Sequence, residues 1–117
     1  MTDQPLPAVN RRTKIRQLND ELRASKGATG MLVVTSRVQA RGMEFVDQAV
    51  TAVSTFDAFD VDNDPHEEHD FGHLTLHGEK LFFKVDYCAR DLAMHSPDEA
   101  DPTVTTRVLT IMLASEY

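Results

Sequence analysis

The sequence lacks most of the features that mark secreted, membrane-spanning or disulfide-stabilised proteins. It has no tryptophan and a single cysteine, Cys88, which excludes an internal disulfide and favours a reducing compartment. No apolar run approaches the roughly 20 residues of a membrane-spanning helix. The first ten residues lack the basic and apolar segments of a secretory signal. We therefore expect a cytoplasmic protein without a membrane-spanning segment.

Lysine and arginine are absent from residues 57–72, which hold seven carboxylates and two histidines. The net charge of the chain is −7, yet residues 11–26 carry six basic and two acidic side chains. A core does not need such an acidic run, so its expected uses are a cation ligand set, an acidic recognition surface or a solvated loop. The basic segment either neutralises the acidic run within the molecule or leaves it to a partner, and the sequence leaves both open.

Hydrophobic periodicity predicts three helices. The first covers residues 10–26, with Asn10 as its N-terminal cap, and presents a charged face to solvent. The second covers residues 42–55 and has the wide apolar face of a well-buried helix. The third covers residues 103–115 and follows Asp101 as a cap. Its apolar arc is wide enough to lie between two layers or against a partner.

Short apolar runs predict the strands. Residues 31–35 indicate a buried strand, and residues 71–77 and 81–87 flank a glycine turn, which is typical of a β-hairpin. A further short strand is an option over residues 91–95. The order helix, strand, helix, strand, strand, optional strand, helix predicts an α+β fold. We expect a small, mainly antiparallel sheet of three or four strands carrying three helices.

The length of 117 residues is that of one domain. We expect a flexible N-terminus over residues 1–10 and a single α+β domain over residues 11–117. The sequence shows no internal repeat, low-complexity tract or domain linker.

Alternating carboxylates suggest one kind of metal site. Asp60, Asp62 and Asp64 are spaced like the first ligands of a calcium-binding loop. That loop requires a glycine and then a bidentate glutamate at positions where this chain has Pro65 and Phe71. A helix-loop-helix calcium site is therefore disfavoured, while a less regular calcium or magnesium site stays open.

Histidines suggest another kind of metal site. His66 and His69, followed by Asp70, offer nitrogen and oxygen donors that suit zinc, manganese or iron. The pair is a weak motif outside a helix, and the alternative is that both histidines are solvated or hydrogen-bonded loop residues. Since no phosphate-binding glycine loop or nucleophile elbow is present, the residues favour a binding protein over an enzyme.

Three blocks of the sequence are similar to the signatures of a known family. They are Asn-Asp-Pro-x-x-Glu-His-Asp-Phe-Gly at 63–72, Phe-Lys-Val-Asp-Tyr at 83–87 and Arg-Val-Leu-Thr-Ile-Met-Leu-Ala-x-Glu-Tyr at 107–117. Over about residues 11–117 the chain resembles a domain-of-unknown-function family of small bacterial proteins. The family is met mostly in alphaproteobacteria, often on plasmids and other mobile elements. Cys88 stands where an aromatic residue is expected.

The resemblance implies a context and a choice of site residues. Small acidic proteins of mobile elements resemble antirestriction and anti-CRISPR proteins, whose carboxylates imitate DNA phosphates. Within the acidic block, His66 and Glu67 occupy variable positions. The remaining residues of the block are the candidate ligands of a divalent metal: Asp64, Glu68, His69 and Asp70.

Three functional hypotheses follow. The first is an acidic binding protein, in the extreme a DNA mimic, that engages a basic surface of another protein. Direct nucleic-acid binding is not expected, because residues 27–117 hold sixteen acids against six basic residues, a charge of −10. The second is a metal-binding protein or metal-dependent hydrolase. The third is a structural homodimer packed through the C-terminal helix, in which His69 and Asp70 hold the loop on the hairpin.

Two surfaces are predicted from these hypotheses. The predicted acidic surface consists of Asp57, Asp60, Asp62, Asp64, Glu67, Glu68, Asp98, Glu99 and Asp101. The predicted basic surface of the first helix consists of Arg11, Arg12, Lys14 and Arg16.

Overall fold

The hairpin predicted around the glycine turn is present in the computed structural model, which describes residues 8–117. Strands β2 (Phe71–Leu76) and β3 (Glu79–Cys88) pair antiparallel. Between them, His77 and Gly78 both have positive φ angles, 51° and 78°. Two-residue turns of this kind match the right-handed twist of the paired strands.

The hairpin forms half of a four-stranded sheet whose spatial order is β1-β4-β3-β2. Strand β4 (Thr106–Leu113) pairs antiparallel with β3, and β1 (Met31–Val34) pairs parallel with β4. The sheet is therefore mainly antiparallel. The predicted α+β fold with a small, mainly antiparallel sheet and three helices is confirmed, although the order of the elements differs from the predicted one.

Three α-helices lie on one face of this sheet. Leu22, Val38 and Val53 belong to three different helices and pack in one buried cluster with strand residues such as Phe83 and Ile111. No helix within residues 8–117 is long and apolar enough to cross a bilayer. The helices are α1 (Ala8–Ala24), α2 (Ser36–Gln39) and α3 (Met43–Ser54), and a 3₁₀ turn (Ala114–Glu116) follows the last strand.

The predicted C-terminal helix over residues 103–115 is wrong, because this segment contains the central strand β4. Leu109 and Ile111 point to the helices and are buried, while Val108 and Met112 point to the other face. Because apolar residues occur on both faces of this strand, the period of two is lost, and the run of residues 108–113, broken only by Thr110, resembles a wide helical arc.

Two further local predictions are also wrong. Residues 91–95 do not form a strand, since only His95 makes an isolated bridge, to Cys88. Asn10 does not cap α1, because the helix already includes it. Of the flexible N-terminus predicted over residues 1–10, residues 1–7 lie outside the described residues.

One glycine decides how the core packs beneath the hairpin. A Cβ added to Gly72 would lie 2.4 Å from Cε2 of Phe83 and 2.9 Å from a ring carbon of Phe56. Both rings therefore lie directly against the backbone of β2, and any side chain at this position would displace them. Phe56 and Phe83 meet edge to face, with ring centroids 5.2 Å apart.

Candidate functional site

The acidic run, residues 57–70, connects α3 to β2 and is called the acidic loop below. Its first residues are held against α1 by Arg23, whose guanidinium donates to the carbonyl of Phe56 at 2.9 Å. The same guanidinium lies over the ring of Phe59, 4.9 Å from its centroid. Arg23 is buried, so its contacts fix the entry to the acidic loop from inside the molecule.

Asp60 and Asn63 close a turn within the acidic loop. Oδ1 of Asp60 accepts the backbone N–H groups of Asp62 at 2.9 Å and Asn63 at 3.0 Å. The Asn63 side chain accepts the N–H of Asp60 at 3.1 Å and donates to the carbonyl of Ala58 at 3.2 Å. Asp and Asn side chains that bond nearby backbone in this way stabilise turns.

Asp64 organises the second half of the acidic loop. Its carboxylate is only 5% exposed, and Oδ1 accepts the N–H groups of Glu68 and His69, both at 3.0 Å. Glu67 and His69 both have φ angles of 57°, a left-handed conformation that non-glycine residues rarely adopt. The buried carboxylate therefore stabilises a backbone path that the chain would not take by itself.

His69 joins the acidic loop to α1. Its Nδ1 lies 2.8 Å from Oδ1 of Asp20, and because a carboxylate only accepts, Nδ1 carries the proton. The imidazole stacks on Phe59 with centroids 3.9 Å apart and planes 4° apart. Its Nε2 lies 3.7 Å from Oδ2 of Asp64. Asp20 also forms an ion pair with Arg23, so the entry and exit of the acidic loop meet at one carboxylate of α1.

A buried polar network lies behind the acidic loop. Tyr87 donates its hydroxyl proton to Oε1 of Glu68 at 2.9 Å and accepts from the Asn19 amide at 2.8 Å. The same amide reaches the carbonyl of Glu68 at 3.0 Å. The other end of Asn19 accepts from Nε of Arg107 at 2.8 Å, and the Arg107 guanidinium lies 5.2 Å from the centroid of Tyr87. The network links α1, the acidic loop, β3 and β4.

Burial controls the protonation of this network. It raises the pKa of Tyr87 far above its usual value, so the hydroxyl stays protonated and donates to Glu68. Burial also raises the pKa of Asp70, reinforced by the nearby charge of Glu68. The pKa of Arg107 is lowered by burial. Tyr87 and Arg107 hold their neighbours, since both bond to Asn19 and Tyr87 also bonds to Glu68.

The basic residues of α1 neutralise part of the acidic loop and part of a second acidic segment, residues 98–101. Arg11 pairs with Asp98 at 2.9 Å and with Glu99 at 2.8 Å. Arg12 pairs with Glu67 at 3.4 Å. Although burial opposes it, hydrogen bonds from His95, the backbone and Arg11 lower the pKa of Glu99 to about 2. The internal neutralisation that the sequence left open is therefore present for part of the surface.

Two more residues of the predicted basic surface lie on the same helix. Arg16 reaches the carbonyl of Glu67 at 3.5 Å, and Lys14 is exposed.

The four predicted metal ligands lie within the acidic loop, and protein groups engage the side chains of three of them. Asp64 accepts backbone N–H groups, Glu68 accepts from Tyr87, and His69 donates to Asp20. Within residues 8–117, no group of three or more His, Cys, Asp or Glu side chains is arranged to hold a metal ion.

The predicted acidic surface divides into paired, buried and exposed residues. Asp64 is buried, Asp98 and Glu99 pair with Arg11, and Asp101 accepts from Thr103. The exposed carboxylates of the acidic loop are Asp57, Asp60, Asp62 and Glu67. Among the described residues, no ion pair involves Asp57 or Asp62.

The sequence did not identify the residues of α1 that hold the acidic loop and the buried network in place. Asn19 and Arg23 lie on the buried side of α1, at helical spacing from Ile15 and Leu22. Polar residues on an otherwise apolar helical stripe were the available signal, because buried polar side chains need partners. Those partners come from the acidic loop and β4, far away in the sequence.

Comparison of the chain with known proteins identifies a family but no activity. A family model described as "Protein of unknown function (DUF3768)" matches residues 34–116. Neither the curated proteins nor the solved structures gave a match.

Proposed function

The chain belongs to the DUF3768 family of proteins of unknown function, and we propose that it is a non-enzymatic binding protein whose acidic loop engages a basic surface of another protein. The family description names no activity, so the proposal rests on the geometry of the loop. The cytoplasmic, mobile-element setting that the sequence blocks imply belongs to the same proposal.

The observation that carries the proposal is a contrast within the acidic loop. Asp64 is buried and ties the loop to one backbone path, while Asp57 and Asp62 are exposed. Val61, which lies between Asp60 and Asp62, is 81% exposed. An apolar side chain among free carboxylates suits a partner with basic residues around a small apolar depression. Because the loop is already ordered, binding loses less conformational entropy.

The buried network behind the loop supports this assignment. Asn19, Tyr87 and Arg107 bond to one another and to Glu68, so their polar atoms position the acidic loop from behind. We assign them to positioning, which explains why buried charged and polar groups occur so close to a surface loop.

The charges of α1 favour a compact basic partner surface over a DNA-binding groove. A DNA mimic of the antirestriction or anti-CRISPR type needs an extended row of carboxylates, since DNA presents one charge for about every 1.7 Å of helix axis. Arg11 and Arg12 interrupt such a row by pairing with Glu99 and Glu67. The proposed contact therefore centres on Asp57 and Asp62.

The experiment compares partner capture by two variants that lose the same charge. Asp57→Asn/Asp62→Asn removes the free carboxylates of the acidic loop, and Glu44→Gln/Asp47→Asn removes two exposed carboxylates from α3. Each tagged protein captures partners from a lysate at low and at high salt, and the captured proteins are identified by mass spectrometry.

We expect a basic protein that the wild type and the α3 variant retain. The loop variant should lose it, and so should the wild type at high salt, because salt screens exposed charges. Equal capture by both variants, or capture that salt does not affect, would contradict the proposal.

A further inference from the structure

Among residues 8–117, no helix packs against one face of the four-stranded sheet. The three described helices pack on the side of Leu81, Phe83 and Ile111. Side chains alternate along a strand, so the neighbouring residues point the other way. The surface formed by these neighbours is called the open face below. It includes Met31, Val33, Phe71, Phe82, Val108 and Met112.

The half of the open face built from β1 and β4 has no charged side chain. Met31 and Val33 on β1 are each 39% exposed, and they stand opposite Val108 and Thr110 on β4. A sheet face that is exposed to water normally carries polar and charged side chains. On the outer side of β4, Val108 and Met112 alternate with Thr106 and Thr110 and no residue is charged, which is typical of a strand between two layers, although the described residues provide only one.

Exposed apolar residues also border both ends of the open face. At one end, Phe71, Phe82 and Tyr117 form a ring cluster with centroids 5.2 to 5.4 Å apart, and Tyr117 is 73% exposed. At the other end, Leu92 and Met94 are exposed and line a cleft of about 590 Å³ with Cys88 and Val108. Of the seven large apolar residues that are exposed in the described part of the chain, five border this face.

The charges of the open face can complement each other between two copies. It carries two lysines, Lys80 and Lys84, and one aspartate, Asp86, a charge of +1 in a chain of −7. Two molecules of net charge −7 repel at most orientations, and the open face is a region where that repulsion is weakest. Lys84 and Asp86 pair within one strand at 3.0 Å, and across a twofold axis each can pair with the other in the second copy.

We propose that a second copy of this chain packs on the open face, so that two four-stranded sheets form a sandwich. The four strands have 4, 6, 10 and 8 residues, so a rise of about 3.3 Å per residue and a spacing of about 4.8 Å give a footprint of about 450 Å². The protruding side chains add to this area, as do Tyr117, Leu92 and Met94 at the two ends of the face. The total approaches the roughly 800 Å² per partner of a standard interface. The acidic loops lie against α1, in the helical layer, and stay accessible on both copies.

The test is the oligomeric state of three variants and the wild type. Sedimentation velocity from about 1 to 200 µM covers the range in which a micromolar dimer assembles. Val33→Glu and Met31→Glu each place a charge on the open face at a position that is already partly exposed. Met43→Glu makes the matched change on α3, where the side chain is 85% exposed. Circular dichroism confirms that each variant is folded.

The expected result is a species of twice the 13.1 kDa chain mass in the wild type and in Met43→Glu. In Val33→Glu and Met31→Glu the dimer Kd should rise at least about tenfold, because a buried unpaired charge is unfavourable. A wild type that stays monomeric would overturn the proposal, as would a dimer that survives both open-face variants. So would a single-stranded oligonucleotide that binds a monomeric wild type but not Val33→Glu, since the face would then belong to an acidic ligand.

Discussion

The imidazole of His69 lies flat on the ring of Phe59, with centroids 3.9 Å apart and planes 4° apart. The two residues stand ten positions apart at opposite ends of the acidic loop, and Asp20 of α1 bonds Nδ1 at the edge of the imidazole. The contact closes the loop into a compact unit against α1. The function that we assign to His69 is therefore to hold this unit together.

His69→Ala should lower the free energy of unfolding by about 1–3 kcal/mol, because it removes the ring contact and leaves Asp20 without one of its partners. Chemical denaturation of the purified protein measures the change. His66→Ala is the matched control, since His66 is exposed, and it should change the stability by less than about 0.5 kcal/mol. Equal effects of the two substitutions would contradict the assigned function.

Tyr87→Phe should destabilise the protein by about 1–3 kcal/mol, since it removes one hydroxyl and leaves the half-buried Glu68 carboxylate and the buried Asn19 amide without that partner. Thermal and urea unfolding both report the loss. Tyr117→Phe deletes the same hydroxyl from an exposed ring and should have almost no effect. A Tyr87→Phe protein as stable as Tyr117→Phe would show that the network adds nothing to stability.

Glu99 should contribute to the acid sensitivity of the fold. Its pKa falls from 4.5 to about 2 on folding, so the folded state favours the charged carboxylate. The resulting stability is fully present above pH 4.5 and is lost as the pH falls toward 2. Glu99→Gln should therefore flatten the stability profile between these values, whereas Glu44→Gln should leave its slope unchanged. Unfolding curves across this pH range measure both slopes, and parallel slopes would be inconsistent with the pairing to Arg11 and His95.

The contacts of the predicted metal ligands give a prediction that opposes the metal hypothesis. Because Asp64, Glu68 and His69 are engaged by protein groups, we expect EDTA to leave the melting temperature unchanged. A site filled at a hundred times its Kd would instead stabilise the fold by about 2.7 kcal/mol. Mass spectrometry of protein purified without chelator is the direct check. Near-stoichiometric metal that disappears in His69→Ala would support the metal hypothesis and contradict the purely structural function of these three side chains.

Local pattern was sufficient for some elements and misleading for others. The hairpin around Gly78 and the helix at residues 43–54 follow from turn residues and from apolar spacing, which are short-range properties. Strand β4 could not be recognised in this way. Val108 and Met112 on its outer side break the period of two, and its place between β1 and β3 depends on pairing with segments that are distant in the sequence.

The candidate site shows a similar division. The acidic block drew attention to Asp64, Glu68 and His69, and all three do organise the loop. Their partners could not be identified from the block, because Asp20 lies 49 positions from His69 and Asn19 lies 49 positions from Glu68. Contacts of this length depend on the tertiary fold, which brings α1 against the acidic loop.

The central claim is that buried groups hold the acidic loop in one conformation while its outer carboxylates remain free. Amide hydrogen exchange of residues 57–70 tests it directly, in the wild type and in two variants. Asp64→Ala removes the acceptor of the Glu68 and His69 N–H groups, and Asp57→Asn/Asp62→Asn changes only exposed carboxylates. We predict slow exchange at Glu68 and His69 in the wild type and in the double variant, and fast exchange in Asp64→Ala. Fast exchange throughout the loop of the wild type would contradict the claim.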